Sequence, residues 1–165
     1  MAKTTPIILG ASIGTRAIGL AILKDGEVVD WHIKTFKQGW STQKLRIIIA
    51  FIDKVIQLDN ISAIAIKTPC EFSRGNNMRI LLRQFEKVIV KRGLSIRKYT
   101  NETLKRYSDF NLANKQSVMI HMVQLYPCMR QWYKREIQNR NPYYLKIFEG
   151  LLAAHCYHKS QQEKK

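Results

Sequence analysis

Hydrophobic residues in the first third of the chain fall into short blocks separated by turn residues, a pattern of strands. Residues 7–12, 17–24 and 27–35 read as three consecutive strands. A turn built on Gly14 joins the first two, and Gly19 lies inside the second, where backbones approach closely. Lys24-Asp25-Gly26-Glu27 joins the second to the third, and its Asp-Gly pair favours a tight hairpin, so the three form an antiparallel meander. From Ser41 to Leu58 the period changes. Leu45, Ile48, Ile49, Ile52, Val55 and Ile56 follow helical spacing, with Ser41 or Thr42 as the N-cap. Ile61 to Ile66 is a short apolar run suited to a buried parallel strand. After an irregular stretch around Pro69 to Gly75, residues 77–92 alternate apolar and basic groups at helical spacing, and Gly93 is placed to end that helix. Leu94 to Lys98 is a fifth strand. Helices follow over about 115–126, stopping before Pro127, over about 129–138, and from Pro142 through His158. Lys159 to Lys165 has the composition of a frayed polar tail, which leaves one domain over residues 1–158, with no internal repeat and no linker.

A chain of 165 residues buries roughly two-thirds of its extended surface, enough for a real core. Its 45% hydrophobic and 24% charged residues are those of a folded protein, so the charge balance is not that of a disordered tail. That balance is extreme, with 28 Lys and Arg against 12 Asp and Glu, a net charge of +16. Such a charge draws polyanions, and counterion release from phosphates is the usual source of nucleic-acid affinity. A solvated basic surface or a ribosome-associated protein has the same composition. An anionic membrane is a poorer partner, because no lipidation signal or isolated basic amphipathic helix stands apart from the fold. Cys70, Cys128 and Cys156 are odd in number and widely separated, which fits neither a disulfide framework nor a paired metal motif. The N-terminus lacks an apolar signal core, and the run from Ile47 to Ile52 is too short to span a bilayer, so a cytoplasmic protein is expected.

Four stretches, in order, carry a resemblance. Ile8 to Ala21 is similar to an apolar-apolar-Gly-x-Asp-x-Gly-Thr-Arg strand followed by Gly-x-Ala. Ala63-Ile64-Ala65-Ile66-Lys67 is similar to a strand that normally ends in a catalytic glutamate, followed by Phe72, Asn76 or Asn77 and a helix. Tyr99 to Lys105, then Ala113-Asn114-Lys115-Gln116-Ser117-Val118, is similar to Thr-x-x-x-Val-Lys, with Leu104 in the place of the valine, followed by Ala-x-Lys-x-x-Val, the most specific of the four. Lys146 to His155 is similar to a final helix that normally reads Asp-x-x-Asp-Ala-Leu-Ala with a histidine nearby. Together they resemble the RuvC-type Holliday junction resolvases of the RNase H-like superfamily, over nearly the whole length. The resemblance implies an α/β fold in which a mixed five-stranded sheet is flanked by helices, and two-fold dimers acting on branched DNA.

The resemblance also implies four carboxylates that hold two magnesium ions for phosphodiester hydrolysis. Position by position, this chain offers Ser12, Lys67, Lys146 and Glu149, of which only Glu149 is an acid. Magnesium needs hard anionic oxygens, and two ammonium groups repel it. No catalytic residue, metal ligand or cofactor is therefore expected in the family's manner. Two of the four positions have become cationic, so the old active site reads either as a metal-free phosphate-binding surface or as lysines left solvated by drift. Two other readings stay open. One is a divergent resolvase that uses Mg2+ at a rearranged site. The other is an inactive structural subunit of an active resolvase.

A rearranged site would have to draw on Glu71, Asp25, Glu149 and a histidine, although Glu71 follows Pro69 in a loop and Asp25 sits in a hairpin turn. His155 and His158 flank Cys156 on the last helix, either as a ligand pair or as an ordinary half-buried face. For nucleic acid, branched DNA above all, the candidates begin with Arg16 in the first turn and the stretch Phe72, Arg74, Asn76, Asn77 and Arg79. The resemblance makes Phe72 a wedge at the branch point, whereas on its own it serves equally to pack its loop. Arg79, Arg83, Lys87 and Lys91 form an i, i+4 row suited to a phosphate backbone or to solvent. Lys105, Arg106 and Lys115 precede or open a helix, and with Lys67 and Lys146 complete the phosphate-contact set. Arg130, Lys134, Arg135 and Arg140 are generic surface or a further basic patch. Tyr126, Met129, Trp132, Tyr133 and Ile137 make an aromatic-rich stripe, either core or the face of a homodimer. The reading is a protein that binds branched or structured DNA, or RNA, through backbone phosphates without two-metal nuclease chemistry.

Overall fold

In the computed structural model, which describes residues 4–69, 75–107, 114–140 and 143–164, the meander forms as expected. Strands β1 (Ile7–Ile13), β2 (Ala17–Lys24) and β3 (Glu27–Thr35) pair antiparallel, and the turn between β2 and β3 places Asp25 and Gly26 at positive φ. Helix α1 (Thr42–Leu58) starts at an N-cap Ser41 whose hydroxyl accepts from the Lys44 N–H. Strand β4 (Ala63–Lys67) returns parallel to β1, α2 (Asn76–Lys91) follows, and β5 (Ser95–Tyr99) lies parallel to β4. The sheet order is β3-β2-β1-β4-β5.

Helices cover both faces. Leu9, Ala11 and Ile13 of β1, with Ile64 and Ile66 of β4, pack under α1 and α2 through Ile48, Ile52, Leu81, Phe85 and Ile89. Ile8, Ala21, Ala63, Ala65 and Tyr99 face the other way, toward α4 (Lys115–Leu125) and α6 (Leu145–Glu163). Alternation along each strand assigns the two sets to the two faces. The second face is floored with small residues where α6 crosses. A Cβ added at Gly10 would lie 1.9 Å from the Gly150 carbonyl oxygen, and one at Gly19 would lie 2.3 Å from that of Lys146. Helix and sheet backbones therefore touch, and α6 carries its N-terminal residues straight onto the ends of β1 and β4.

Three elements depart from the sequence expectation. A helix α3 (Asn101–Tyr107) occupies a segment too short for apolar periodicity to register. It is started by a reciprocal cap, in which the Thr103 hydroxyl accepts from the Thr100 N–H at 2.7 Å and Thr100 Oγ1 accepts from the Thr103 N–H at 3.3 Å. A 3-10 turn (Pro127–Met129) precedes α5 (Arg130–Gln138). The polar end from Lys159 to Glu163 continues α6 rather than fraying. Ser160 is buried, accepts from Arg97 at 3.1 Å and donates to the Tyr157 carbonyl at 2.7 Å, which fastens this last turn to β5. Among the described residues no helix is long and apolar enough to cross a membrane.

Candidate nucleic-acid interface

Ser12 and Lys67 are register partners at the C-terminal ends of β1 and β4, and Gly19 of β2 is the other partner of Ser12. All three lie on the α6 face of the sheet, as the alternation of their strands requires. Lys146 and Glu149, three residues apart on α6, are brought to the same place. The Lys67 ammonium contacts the Glu149 carboxylate directly. Ser12 is buried, and Lys67 and Glu149 retain side-chain exposures of 21% and 13%. Lys146 reaches toward the first turn, with Nζ 3.2 Å from where a Cβ on Gly14 would sit. Beside this pair opens a cavity of about 230 Å³, lined by Lys67, Lys105, Lys115 and Glu149, by Asn101 and Asn114, and by apolar walls that include Leu104 and Leu152.

The four positions matched by the resemblance thus converge, but their charge is inverted. Burial, then the ammonium groups of Lys146 and Lys115, pulls the Lys67 pKa down to about 8. Contact with Glu149 works in the opposite direction by favouring the charged amine. Burial and Lys115 lower Lys146 as well. Among the described residues the site is a partly dehydrated cationic cluster with Glu149 as its internal counter-ion. Among the described residues three lysines, Lys67, Lys146 and Lys115, crowd the one carboxylate of Glu149, an excess of positive charge that favours an entering anion. Asn114 and Lys115 form the start of α4, whose dipole favours negative charge there.

Two side chains of this cavity, Asn101 and Asn114, were not singled out by the sequence pattern. Asn114 was legible in principle, because it precedes Lys115-Gln116-Ser117 and caps α4 by accepting from the Ser117 N–H at 2.9 Å. The remaining expected contacts scatter. Arg16 is exposed in the β1–β2 turn. Asn76, Asn77 and Arg79 are at the start of α2, which packs on the opposite sheet face. Arg83, Lys87 and Lys91 continue that row along the helix. Phe72, Arg74, Glu71 and Cys70 lie outside the described residues. His155 hydrogen-bonds Tyr126 at 2.8 Å, Cys156 is buried, and His158 lies under Gly26 of the β2–β3 turn, so these three point to different neighbours. Of the aromatic stripe, Tyr126 and Met129 are buried core, and Trp132 packs edge-on against Trp31 at 5.7 Å, while Ile137 is exposed.

Glu136 of α5 fastens the chain where it enters α6, one residue before Lys146. It is 7% exposed, and its carboxylate accepts from the Tyr143 N–H at 2.9 Å, just before α6, and from the N–H of Leu145, the first residue of that helix, whose N-cap Tyr144 makes no side-chain cap bond. Replacing it strands these donors at the turn that carries Lys146. Glu136→Ala is expected to lower stability by about 1–3 kcal/mol in urea unfolding, with Glu136→Gln intermediate.

No protein-family model matches the chain, and no curated protein matches it. Solved structures do. Thermus thermophilus RuvC in complex with a Holliday junction substrate aligns over 97% of both chains with a TM-score of 0.73 at 12% identity. Another Thermus thermophilus RuvC structure aligns over 96% of both chains, with the same score at 13% identity. The Fowlpox virus resolvase, solved with its Holliday junction DNA, aligns over 93% of this chain and 99% of its own at 13% identity, with a TM-score of 0.59. The fold is that of RuvC-type resolvases, a mixed five-stranded RNase H-like sheet flanked by helices.

Proposed function

We propose that this chain binds branched or structured nucleic acid, with DNA favoured, through backbone phosphates at the Lys67 end of the sheet, and that it does so without two-metal hydrolysis. One observation carries the reading. The Lys67 ammonium fills the space between β4 and α6 and takes the Glu149 carboxylate as its partner, where two-metal chemistry needs a cation held by acids. A phosphodiester entering this site competes with Glu149 for Lys67 and gains Lys146, Lys115 and Lys105 as further donors. Two of the similar structures are complexes with Holliday junctions, which supports a branched ligand. A two-fold pair of chains would offer such a ligand two lysine clusters.

The test is a metal-free comparison of a four-way DNA junction, linear duplex and structured RNA. Junction affinity above that of duplex, falling steeply with salt, is the expected result. Equal affinity for all three would reduce the interface to general basic attraction. Failure to bind any of them would favour the inactive-subunit reading.

The Lys67 amine gives the interface a pH signature. Because its pKa lies near 8, its charge is complete below about pH 7 and is lost as pH rises toward about 9, a range in which ordinary lysines stay charged. Junction affinity is expected to fall several-fold more over that range for the unmodified chain than for Lys67→Arg, which keeps its charge. The stability effect runs the other way. Between the folded and unfolded pKa values the unfolded chain binds this proton more readily, so the contribution of Lys67 to stability rises with pH across that window.

A further inference from the structure

On the opposite face of the sheet from the lysine cluster, Asp30 and His32 of the edge strand β3 meet Asp59, the residue that ends α1. His32 pairs with Leu20 and Asp30 with Ile22, both of which face the α1 side of the sheet. The local backbone arranges this meeting. The β2–β3 register shifts between Ile22 and Leu23, so that Val28 and Trp31 both turn toward the α6 side and leave Asp30 and His32 together on the other. Across from them the helix terminates and Asn60 adopts a φ of 52°, turning the chain into β4 just after Asp59.

Three observations point to a ligand rather than to a simple ion pair. His32 Nε2 is shut off from solvent and makes no hydrogen bond, although Asp30 Oδ2 lies 3.1 Å away and Asp59 Oδ2 4.0 Å away. Two donors bound to one ion at about 2.1 Å sit about 3.0–3.4 Å apart without pointing at each other, and His32 and Asp30 have that relation. The other Asp30 oxygen accepts from the Trp31 N–H at 2.8 Å, which fixes the carboxylate's orientation in the way outer hydrogen bonds orient metal ligands. Finally, neither carboxylate has a lysine or arginine partner among the described residues, in a chain of net charge +16. The nearby Lys34 ammonium lies over the Phe51 ring at 4.9 Å, the same ring against which His32 packs.

We propose that Asp30, His32 and Asp59 form a binding site for a divalent transition ion, zinc by its chemistry, which ties edge strand β3 to the end of α1. One imidazole nitrogen and two carboxylate oxygens suit zinc, cobalt or manganese better than magnesium, and half-buried side chains leave a coordination position for water. The proposal does not depend on the nucleic-acid reading, since the site lies on the other sheet face and shares no residue with the lysine cluster.

The experiment uses the full chain stripped with EDTA and titrated with Co2+, followed by its visible absorption, and with Zn2+, followed by thermal unfolding. Saturable binding of one ion per chain and a raised unfolding temperature are expected, both lost in His32→Gln and Asp59→Asn but kept in His121→Gln and His158→Gln. Metal-free unfolding temperatures show whether each variant still folds, and junction affinity is expected to be the same in all of them. Absence of saturable uptake, or uptake that survives His32→Gln, would overturn the proposal and leave His32 as a side chain packed between two carboxylates.

Discussion

Gly10→Val is expected to leave no folded protein at room temperature, whereas Gly39→Ala is expected to be close to neutral. At position 10 even the first side-chain carbon would sit 1.9 Å from the Gly150 carbonyl oxygen and 2.7 Å from the Ala154 methyl, and at position 39 it would meet nothing within 4 Å. The clash at Gly10 is with backbone, so no rotamer change relieves it, and α6 would have to lift from the sheet. Overpacking a core costs about 1–3 kcal/mol when side chains can move aside, and more is expected here, against a total stability of about 5–15 kcal/mol. Circular dichroism and denaturant midpoints of Gly10→Ala, Gly10→Val and Gly39→Ala would read the series. Tolerance of Gly10→Val would mean that α6 does not lie directly on β1.

The second large effect is on binding. Removing both Lys67 and Lys146 by alanine is expected to weaken junction affinity by about a hundredfold or more, since hydrogen bonds to charged groups contribute about 1.5–3 kcal/mol each. The salt dependence should become shallower by about one unit of slope for each phosphate that is no longer neutralised. The row Arg79, Arg83, Lys87 and Lys91 serves as the comparison, because its helix packs on the other face of the sheet. Alanines there are expected to reduce affinity less and equally for junction and duplex. If the two sets behaved alike, the half-buried lysines of the cluster would hold no special place.

Much of the fold was legible because its signals are local. The Asp25-Gly26 turn, the apolar spacing from Leu45 to Ile56, and Gly93 after α2 each announce an element boundary without reference to the rest of the chain. What escaped depended on partners. Helix α3 is held by a reciprocal threonine cap, and the last turn of α6 by the Ser160 contact with Arg97, and neither leaves a hydrophobic period to read. The convergence of positions 12, 67, 146 and 149 came from motif order. The contact between Lys67 and Glu149 needed the close helix-to-sheet crossing that Gly10, Gly19 and Gly150 permit. The group of Asp30, His32 and Asp59 was invisible in the sequence, since a register shift and a helix end in different parts of the chain create it.

Whether Lys67 stands in place of a metal is decided by measuring affinity for a four-way DNA junction in EDTA and in MgCl2 at matched ionic strength, with strand cleavage read from the same samples. Binding that is fully present in EDTA, no tighter with magnesium, and accompanied by intact strands is the predicted result. Binding that requires magnesium or manganese, together with cuts that disappear in Glu149→Ala, would contradict it and show that a catalytic metal site assembles around Glu149 in spite of the lysine beside it.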